Sequence, residues 1–542
     1  MPLRLVVVGR LGPTAASIRL VSPMACRRCM TSQTRPAIPF LSAPTAGRGA
    51  GRRFTSARKQ WLKHEAKLVV RYTLIFWGCG LAVVVILWAF EQEAKEREFP
   101  TPHEWAWRTR NMLRSAHHSG DSDWTYTLTL ARRVVMRLGN PAYDGQNVVQ
   151  LAGRPDPTLE YPDEFIPCDI SANSEDWRSG YFDAMLLSAK AAENTDGWLH
   201  DRVRNVVVPP KYVLGPSNPR PCPLPPGFSG VPREEDCVLA YPSAENWYMK
   251  MLATVGFTPR QRVDAALAYA NFLQYKGQSE AAEALYNLAL VEATSKMEPA
   301  RLPYNSKTLV LKEGGEPPSA NILEALTAMA NFKARKGQLS SALPMYISLL
   351  KARRRLPNHP PPPTTSNRPP PSLVQQVMRP PSYPESPGDG TEPPWRNSLE
   401  RCQEAALHLY IGEILYATSS RVQGLAWTRD AVDLAEEQLQ DRNPANMGKE
   451  EKTRCRECLA VGLRNWSTIV AQLVQAEKAA KKKSGVESRM IPFWHEAQET
   501  PEAGSRWKSE QAVVKERAER ARVLLVDDIS PQSEGLVSLL KA

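Results

Sequence analysis

The side chains that could do chemistry in this chain are its histidines and cysteines, and their spacing gives little support to catalysis. His117 and His118 are adjacent, and neighbours on a helix point about 100° apart, so they do not chelate one ion together. Two Cys-x-x-Cys pairs have the spacing of a metal half-site or a disulfide. Cys26/Cys29 lies in a segment that reads as a removable leader. Cys455/Cys458 falls at i, i+3 with no matching second pair nearby, and reads as an ordinary helix-face pair. Cys168, Cys222 and Cys237 flank loops, where a bridge among them is compatible with an oxidising compartment. The patterns GxxxxGKS/T, GxSxG, HExxH and GxGxxG are absent from the sequence. The expectation is a non-enzymatic protein with no metal and no cofactor.

What remains is binding chemistry, and a repeated motif supplies it. Ala270-Asn271-Phe272-Leu273-Gln274-Tyr275-Lys276-Gly277-Gln278 recurs as Ala330-Asn331-Phe332-Lys333-Ala334-Arg335-Lys336-Gly337-Gln338. Ala282 and Tyr286 recur as Ala342 and Tyr346. The Lys-Gly-Gln tripeptide ends a first helix with a left-handed glycine. Small residues then sit where a second helix must cross the first closely. A looser copy has Gly412, Gly424 and Ala431 at the small positions and Thr428 at the aromatic one, with Trp427 beside it. A fourth, partial copy runs from Trp177 through Gly180, Tyr181 and Ala184 to Ala191.

This pattern resembles the tetratricopeptide repeat, a 34-residue helix-turn-helix with small residues at positions 8, 20 and 27 and an aromatic at 24. The resemblance implies an all-α fold: divergent tetratricopeptide-like helical-hairpin repeats, an α-solenoid, behind one N-terminal transmembrane helix. Its packing positions would be Ala270, Gly277, Ala282, Tyr286, Ala330, Gly337, Ala342, Tyr346, Gly412 and Gly424. A groove would be lined by positions 2, 5, 9 and 12 of each first helix. Those are Asp264, Leu267, Asn271 and Gln274, then Glu324, Thr327, Asn331 and Ala334, then Ala406, Leu409, Glu413 and Tyr416. The peptide-binding candidates are Asn271, Gln274, Asn331, Glu413 and Tyr416. Asn271 and Asn331 would bond either a bound peptide backbone or the neighbouring repeat. Clamps for chaperone C-termini need Lys or Arg at positions 2, 5 or 6; position 6 here is Ala268, Ala328 and Tyr410, and none of the three positions is basic. The mixed groove suits extended or unfolded chain.

The elements before the repeats set where such a groove would stand. Residues 1–67 hold thirteen Lys/Arg and one acid, Glu65, so they carry the whole net charge of +12 and the rest of the chain is balanced. That distribution excludes a nucleic-acid-binding body. Residues 1–54 have the Arg-, Ser- and Ala-rich, acid-free composition of a mitochondrial transit peptide, and Arg52-Arg53-Phe54-Thr55-Ser56 reads as a processing site. A basic segment, 55–71, follows. Tyr72–Phe90 is uncharged throughout, long enough at 1.5 Å per residue to cross a hydrocarbon core of about 30 Å. Arg58, Lys59, Lys63, Lys67 and Arg71 precede it, and Glu91, Glu93, Glu96 and Glu98 follow it. The positive side stays in the matrix, which puts the C-terminal body in the intermembrane space.

The body divides at its prolines, whose total of 47 excludes one unbroken helical array. A helical repeat region spans 101–355, with a helix starting at Thr101-Pro102-His103-Glu104 and helices at about 103–118, 122–138 and 173–195. Residues 209–232 hold nine prolines and read as an irregular loop. Residues 357–397 form a proline-rich insertion expected to be disordered, with fourteen prolines in 357–394. A further repeat occupies 398–483, including an amphipathic stretch from 448, and a C-terminal helix lies at 505–526.

The combination of leader, single span, the juxtamembrane Glu98-Phe99-Pro100-Thr101-Pro102-His103-Glu104-Trp105 and divergent repeats resembles the fungal tetratricopeptide subunit of the mitochondrial inner-membrane i-AAA protease supercomplex. Gly412-Glu413-Ile414-Leu415-Tyr416-Ala417 and Gly424-Leu425-Ala426-Trp427-Thr428 share that likeness. The resemblance covers roughly residues 60–480, and the insertion at 357–394 falls outside it. It implies a single-pass inner-membrane adaptor that binds unfolded or misfolded inner-membrane or intermembrane-space proteins. Its partners would be the i-AAA protease and a second adaptor subunit, with no nucleic acid. The alternative is a respiratory-chain assembly or scaffold factor built on the same repeats.

Overall fold

The structure is a computed structural model that describes residues 57–120, 122–151, 165–224, 230–298, 301–360, 383, 388–440, 447–487 and 506–525. The expected transit peptide and processing site lie outside the described residues. The chain is mostly helical. Its helices are α1 (Ala57–Glu98), α2 (Trp107–Ser119), α3 (Trp124–Leu138), α4 (Glu175–Asn194), α5 (Ala244–Ala253), α6 (Pro259–Tyr275) and α7 (Ser279–Ala293). Then come α8 (Ala320–Arg335), α9 (Leu339–Arg354), α10 (Ser398–Thr418), α11 (Arg421–Gln440), α12 (Lys449–Glu487) and α13 (Arg506–Leu525). Among the described residues the strands are β1 (Val149–Gln150), β2 (Cys168–Asp169), β3 (Leu199–Asp201), β4 (Val206–Val208) and β5 (Cys237–Leu239).

The chain divides into two units. One holds α1 and residues 199–240. The apolar run and its basic approach form a single helix of 42 residues, so from residue 57 the basic segment is not a separate element. None of its residues is buried, and α1 is long and apolar enough to cross a membrane. Just past the apolar run, Glu91–Lys95 and Glu93–Arg97 pair at i, i+4, at 2.6 Å and 3.1 Å.

The rest of this unit departs from the all-α expectation: β3 pairs with both β4 and β5 in an antiparallel sheet. The local cause is the Asp201 carboxylate. It accepts the backbone N–H groups of Val203 (2.8 Å) and Arg204 (3.1 Å), which folds the chain back. The β-branched run Val206-Val207-Val208 then forms the second strand. In and beside the proline-rich stretch, Leu214 forms an isolated bridge to Arg233 and Gly215 one to Asn218.

The second unit holds residues 99–198 and 241–542. Here the helices pack in consecutive pairs, α2 on α3, α4 on α5, α6 on α7, α8 on α9, α10 on α11 and α12 on α13. Each pair also touches the next, and α6 meets α8 and α10 meets α12 directly.

The sequence places the start of α2 too early. Trp107, not His103, opens the helix. Residues 102–105 make a turn closed by Trp105 N–H to Pro102 O (3.3 Å), and Trp105 is buried edge-on to Trp177. The helix end is capped from far along the chain: Asp144 accepts the N–H of Ala106 (2.8 Å) and the hydroxyl of Thr109 (2.5 Å).

The repeated motif becomes two matching helix pairs. Thr258 and Gln261 form a reciprocal capping box at the start of α6, with Pro259 at the first helical position. Gly277 and Gly337 end α6 and α8 at φ +79° and +81°, where a side chain would be strained. The chain reverses through Gln278 N–H to Leu273 O and Gln338 N–H to Lys333 O, both 2.9 Å. Ala270, Ala282, Ala330 and Ala342 are fully buried. In the looser copy, a Cβ on Gly424 would lie 2.7 Å from the carbonyl oxygen of Gly412 and 2.6 Å from the Cβ of Tyr416. Only bare backbone lets α10 and α11 come so close.

Two expectations about the later chain change. Residues 361–382 and 384–387 of the insertion lie outside the described residues, but its end is held in place rather than disordered. Residues 389–392 accept the free N–H groups at the start of α8: Ala320 to Glu392 O and Asn321 to Gly390 O, each 3.1 Å. The second change concerns the helix-face pair. Cys455 is bonded to Cys402, joining α12 to α10 with Cα atoms 5.1 Å apart. Cys458 is a free, buried thiol, 3.3 Å from Cys402 O. Cys168, Cys222 and Cys237 are also free. The C-terminal helix α13 packs on α12 through Val514 and Ala521, and Arg517 ties it to Asp433 (2.5 Å) and Glu436 (2.7 Å) of α11.

Candidate binding surface

The first helices of the pairs carry the five peptide-binding candidates, and each of these side chains already has a partner. The Tyr286 hydroxyl donates to Asn271 Oδ1 (2.7 Å) and lies 3.1 Å from Gln274 Oε1. Tyr346 does the same to Asn331 Oδ1 at 2.7 Å. The tyrosines come from the second helix of the same pair, so these bonds close each pair on itself rather than reaching the neighbouring repeat. The amide nitrogens of Asn271 and Asn331 are not used in these bonds. Glu413 accepts from Asn465 of α12 at 2.5 Å, and the Tyr416 hydroxyl meets Gln472 of α12.

The other expected groove positions divide. Asp264 and Glu324 share Arg260, at 3.2 Å and 2.5 Å, an ion-pair link from α6 to α8. Thr327 bonds back to Leu323 O within its own helix at 2.6 Å. Leu267 and Leu409 are not on an open face: they are 7% and 4% exposed. The cause is the approach of the next first helix. On α12, Gly462 leaves room for Leu409, whose Cδ2 would be 3.5 Å from a Cβ there. Ala406 and Tyr416 likewise pack against the cluster formed with α12.

A polar surface on α4 escaped the sequence reading. Asp176, Ser179, Asp183 and Lys190 recur at i, i+3, i+7 and i+14, which places them along one stripe of the helix. That spacing is visible in the sequence, but polar residues at helical intervals are also what any solvated helix face carries. Asp183 is exposed to solvent yet ringed by protein. Burial pushes its carboxyl up to about 6, against the favourable charge of Lys190. His117 of α2 is held down to about 4 by burial and then by Lys190, and it stacks on Phe99 at 5.2 Å between ring centres. Tyr383, from the proline-rich insertion, has Ser179 and Asp183 of α4 as neighbours. Its hydroxyl is pushed up to about 12 by burial and by the charge of Asp183.

Among the described residues no three His, Cys, Asp or Glu side chains gather as a metal-ligand set. What the surface offers is hydrogen bonding and charge on helix faces.

No family model matches the sequence, and no curated protein matches it. Among solved structures, BtubC (BKLC) from P. vanneervenii is similar over 73% of this chain and 99% of its own, at 10% identity and a TM-score of 0.30. A likeness of that size says nothing about function.

The buried charges between α9 and α10 were also invisible to sequence patterning. Arg353 pairs with Glu400, while Arg354 (2.8 Å) and Arg396 (2.7 Å) both hold Glu404. Burial and Arg354 hold His408 below the ordinary histidine range. This cluster joins α9 to the start of α10; Arg353, Glu400 and Glu404 are buried, while Arg354 is half exposed.

Proposed function

We propose that this protein is a non-enzymatic adaptor of the mitochondrial inner membrane that binds unfolded or misfolded proteins and delivers them to the i-AAA protease. Its body is a divergent tetratricopeptide-like α-solenoid. Its N-terminus lies in the matrix and its body in the intermembrane space. A second adaptor subunit completes the assembly.

The observation that carries this reading is the pairing of an uncovered apolar helix with matched helix pairs in one chain. No residue of α1 is buried, so its apolar surface is left for lipid. Gly277 and Gly337 end their helices alike, and each pair is closed by the same Tyr–Asn bond. Equivalent units placed in tandem present an extended surface suited to chain without a fold of its own. An anchor in the same plane as a protease raises the local concentration of whatever that surface holds, and tethering strengthens weak contacts about 10²–10⁴-fold.

The second reading, a respiratory-chain assembly or scaffold factor, draws support from a different observation. The side-chain oxygens of Asn271 and Asn331 are engaged within their own pairs. A surface with its hydrogen-bond acceptors already satisfied also fits a folded partner.

A crosslinking pull-down on the tagged full chain from detergent-solubilised mitochondria separates the two. Recovery of an ATP-dependent protease together with denatured chain supports the adaptor. Recovery of folded subunits of one respiratory complex, without the protease, replaces it with the scaffold.

A further inference from the structure

The chain between the two matched helix pairs is longer than a repeat needs. Ala270 and its counterpart Ala330 are 60 residues apart, where the repeat takes about 34. Part of the extra chain folds back on α9, the second helix of its pair. Tyr304 and Leu311 form an antiparallel bridge and are both buried. The Leu311 N–H donates to Ser348 Oγ of α9 (3.3 Å), and the Lys312 N–H to Pro303 O (2.8 Å). Leu309 holds a φ of +57°, which leucine adopts only where its surroundings fix it.

Between this wall and α9 lies a half-enclosed trough of about 460 Å³, within the size range of ligand sites. Its α9 side is graded along one line. Leu343, Ile347, Lys351 and Arg355 follow each other at i, i+4 steps, and Arg355 is the cap of the helix, still in helical conformation. The first two are apolar and the last two cationic. Ile347 is 38% exposed, and Arg355 is exposed. From the loop, Val310 adds apolar surface and Lys312 a third positive charge.

A carboxylate already sits at the cationic end. Glu313 accepts from Lys351 at 2.7 Å. That hydrogen bond, the charge of Lys351 and then that of Arg355 hold the Glu313 carboxyl below the ordinary range. Both members of the Lys351–Glu313 pair are more than half exposed, so the pair is weak and an incoming acid can replace Glu313.

The spacing selects extended chain. Four residues of helix advance about 6 Å. Two residues of extended chain advance about 6.6 Å. Alternate side chains of an extended peptide therefore stay in step with the four positions on α9. A small ligand is buried on most sides in its site, whereas a half-enclosed trough lets a chain pass through.

We propose that this trough is a docking site for an extended partner segment of the pattern aliphatic-x-aliphatic-x-acid-x-acid, in either chain direction. Its aliphatic side chains lie on Leu343 and Ile347 and its acids on Lys351 and Arg355. The site is on a second helix, whereas the peptide-binding candidates are on the first helices α6, α8 and α10. It therefore goes beyond the adaptor reading and stands whether or not that reading does. Glu313 holds the place of the acid at Lys351 until the partner binds.

The test uses the full chain in phosphatidylcholine nanodiscs and the fluorescence anisotropy of two fluorescein-labelled peptides, Leu-Ser-Ile-Ser-Glu-Ser-Glu and its reverse. A peptide of the same composition with its acids out of step, Leu-Ser-Ile-Glu-Ser-Glu-Ser, is the control. We expect one in-step peptide to bind several-fold tighter than the control. Arg355→Glu should weaken that binding about tenfold, because it sets like charges together. Glu313→Gln should tighten it by up to about fivefold, because it frees Lys351 from a surface pair. A tightening cannot come from a damaged fold. Absence of binding by both in-step peptides, or binding equal to that of the control, overturns the docking site. Equal affinity in Glu313→Gln and the parent chain overturns the part given to Glu313. Displacement by octanoate at the concentration that unlabelled peptide requires makes the trough a site for small carboxylates and overturns the peptide.

Discussion

The Tyr346 hydroxyl lies 2.7 Å from Asn331 Oδ1, and the bond joins the two helices of one pair. Its counterpart between Tyr286 and Asn271 has a second acceptor, Gln274, at 3.1 Å. The two equivalent asparagines should therefore respond differently. Asn331→Ala strands the Tyr346 hydroxyl and should cost about 1–2 kcal/mol, while Asn271→Ala should cost less because Gln274 remains. Thermal unfolding of the purified full chain checks the order. In a Tyr346→Phe background, Asn331→Ala should cost little more. Equal losses at Asn271 and Asn331 would contradict the assignment.

Close backbone approach at the helix crossings gives a second expectation. Gly424→Ala brings its Cβ to within 2.7 Å of the Gly412 carbonyl oxygen, and Ala282→Leu or Ala342→Leu overfills a site with no exposure. Each should destabilise by about 1–3 kcal/mol. Gly277→Ala meets nothing within 4 Å, so its cost is the strain of a positive φ alone, about 1–2 kcal/mol. Variants at positions 282, 342 and 424 that melt with the parent chain would mean that the helix register is wrong.

How far the sequence reached follows from the range of each interaction. The α6–α9 pairs were legible because their causes are local: a glycine that ends a helix and alanines set by helical spacing. The Tyr–Asn bonds left a sign too, since both copies place Asn and Tyr fifteen residues apart. The cap on α2 was not legible, because Asp144 reaches Ala106 from 38 residues away and displaces the local start signal at Thr101-Pro102. Nor was the Cys402–Cys455 bond, which spans 53 residues and depends on how α12 lies on α10. The five groove candidates lie on α6, α8 and α10. Their partners come from other helices, which helical periodicity alone does not specify.

That disulfide carries its own prediction. Non-reducing peptide mapping should recover Cys402 linked to Cys455, with Cys458 as a thiol. Burial pushes the Cys458 thiol up to about 11, so it should alkylate far more slowly than exposed Cys222. Cys455→Ser should lower stability by about 2–4 kcal/mol, since the bond closes a long loop. Recovery of a Cys455–Cys458 bond instead would contradict the α10–α12 link.

The polar stripe of α4 and its neighbour His117 predict opposing pH effects. His117 has its pKa lowered from 6.5 to about 4, so between those values the unfolded chain binds a proton that the fold excludes. Its contribution is lost as the pH falls through that window. Asp183 is raised from 3.8 to about 6; its contribution is present below 3.8 and lost as the pH rises through 6. His117→Gln removes the first slope, so relative to the parent the variant should gain about 2 kcal/mol on going from pH 7 to pH 4.5. Unfolding curves at the two pH values measure this gain. A difference between variant and parent that does not change with pH would contradict the buried neutral imidazole.

The central claim is that this chain holds unfolded protein beside a protease in the same membrane, and the half-life of a misfolded inner-membrane protein measures it most directly. Mitochondria would carry the full chain, the chain without residues 72–90, or the chain with those residues replaced by an unrelated apolar span that keeps the flanking charges. The account predicts rapid turnover with the full chain, a several-fold longer half-life without the span, and recovery with the replacement, because tethering supplies the local concentration. Turnover at the normal rate without any span would contradict it.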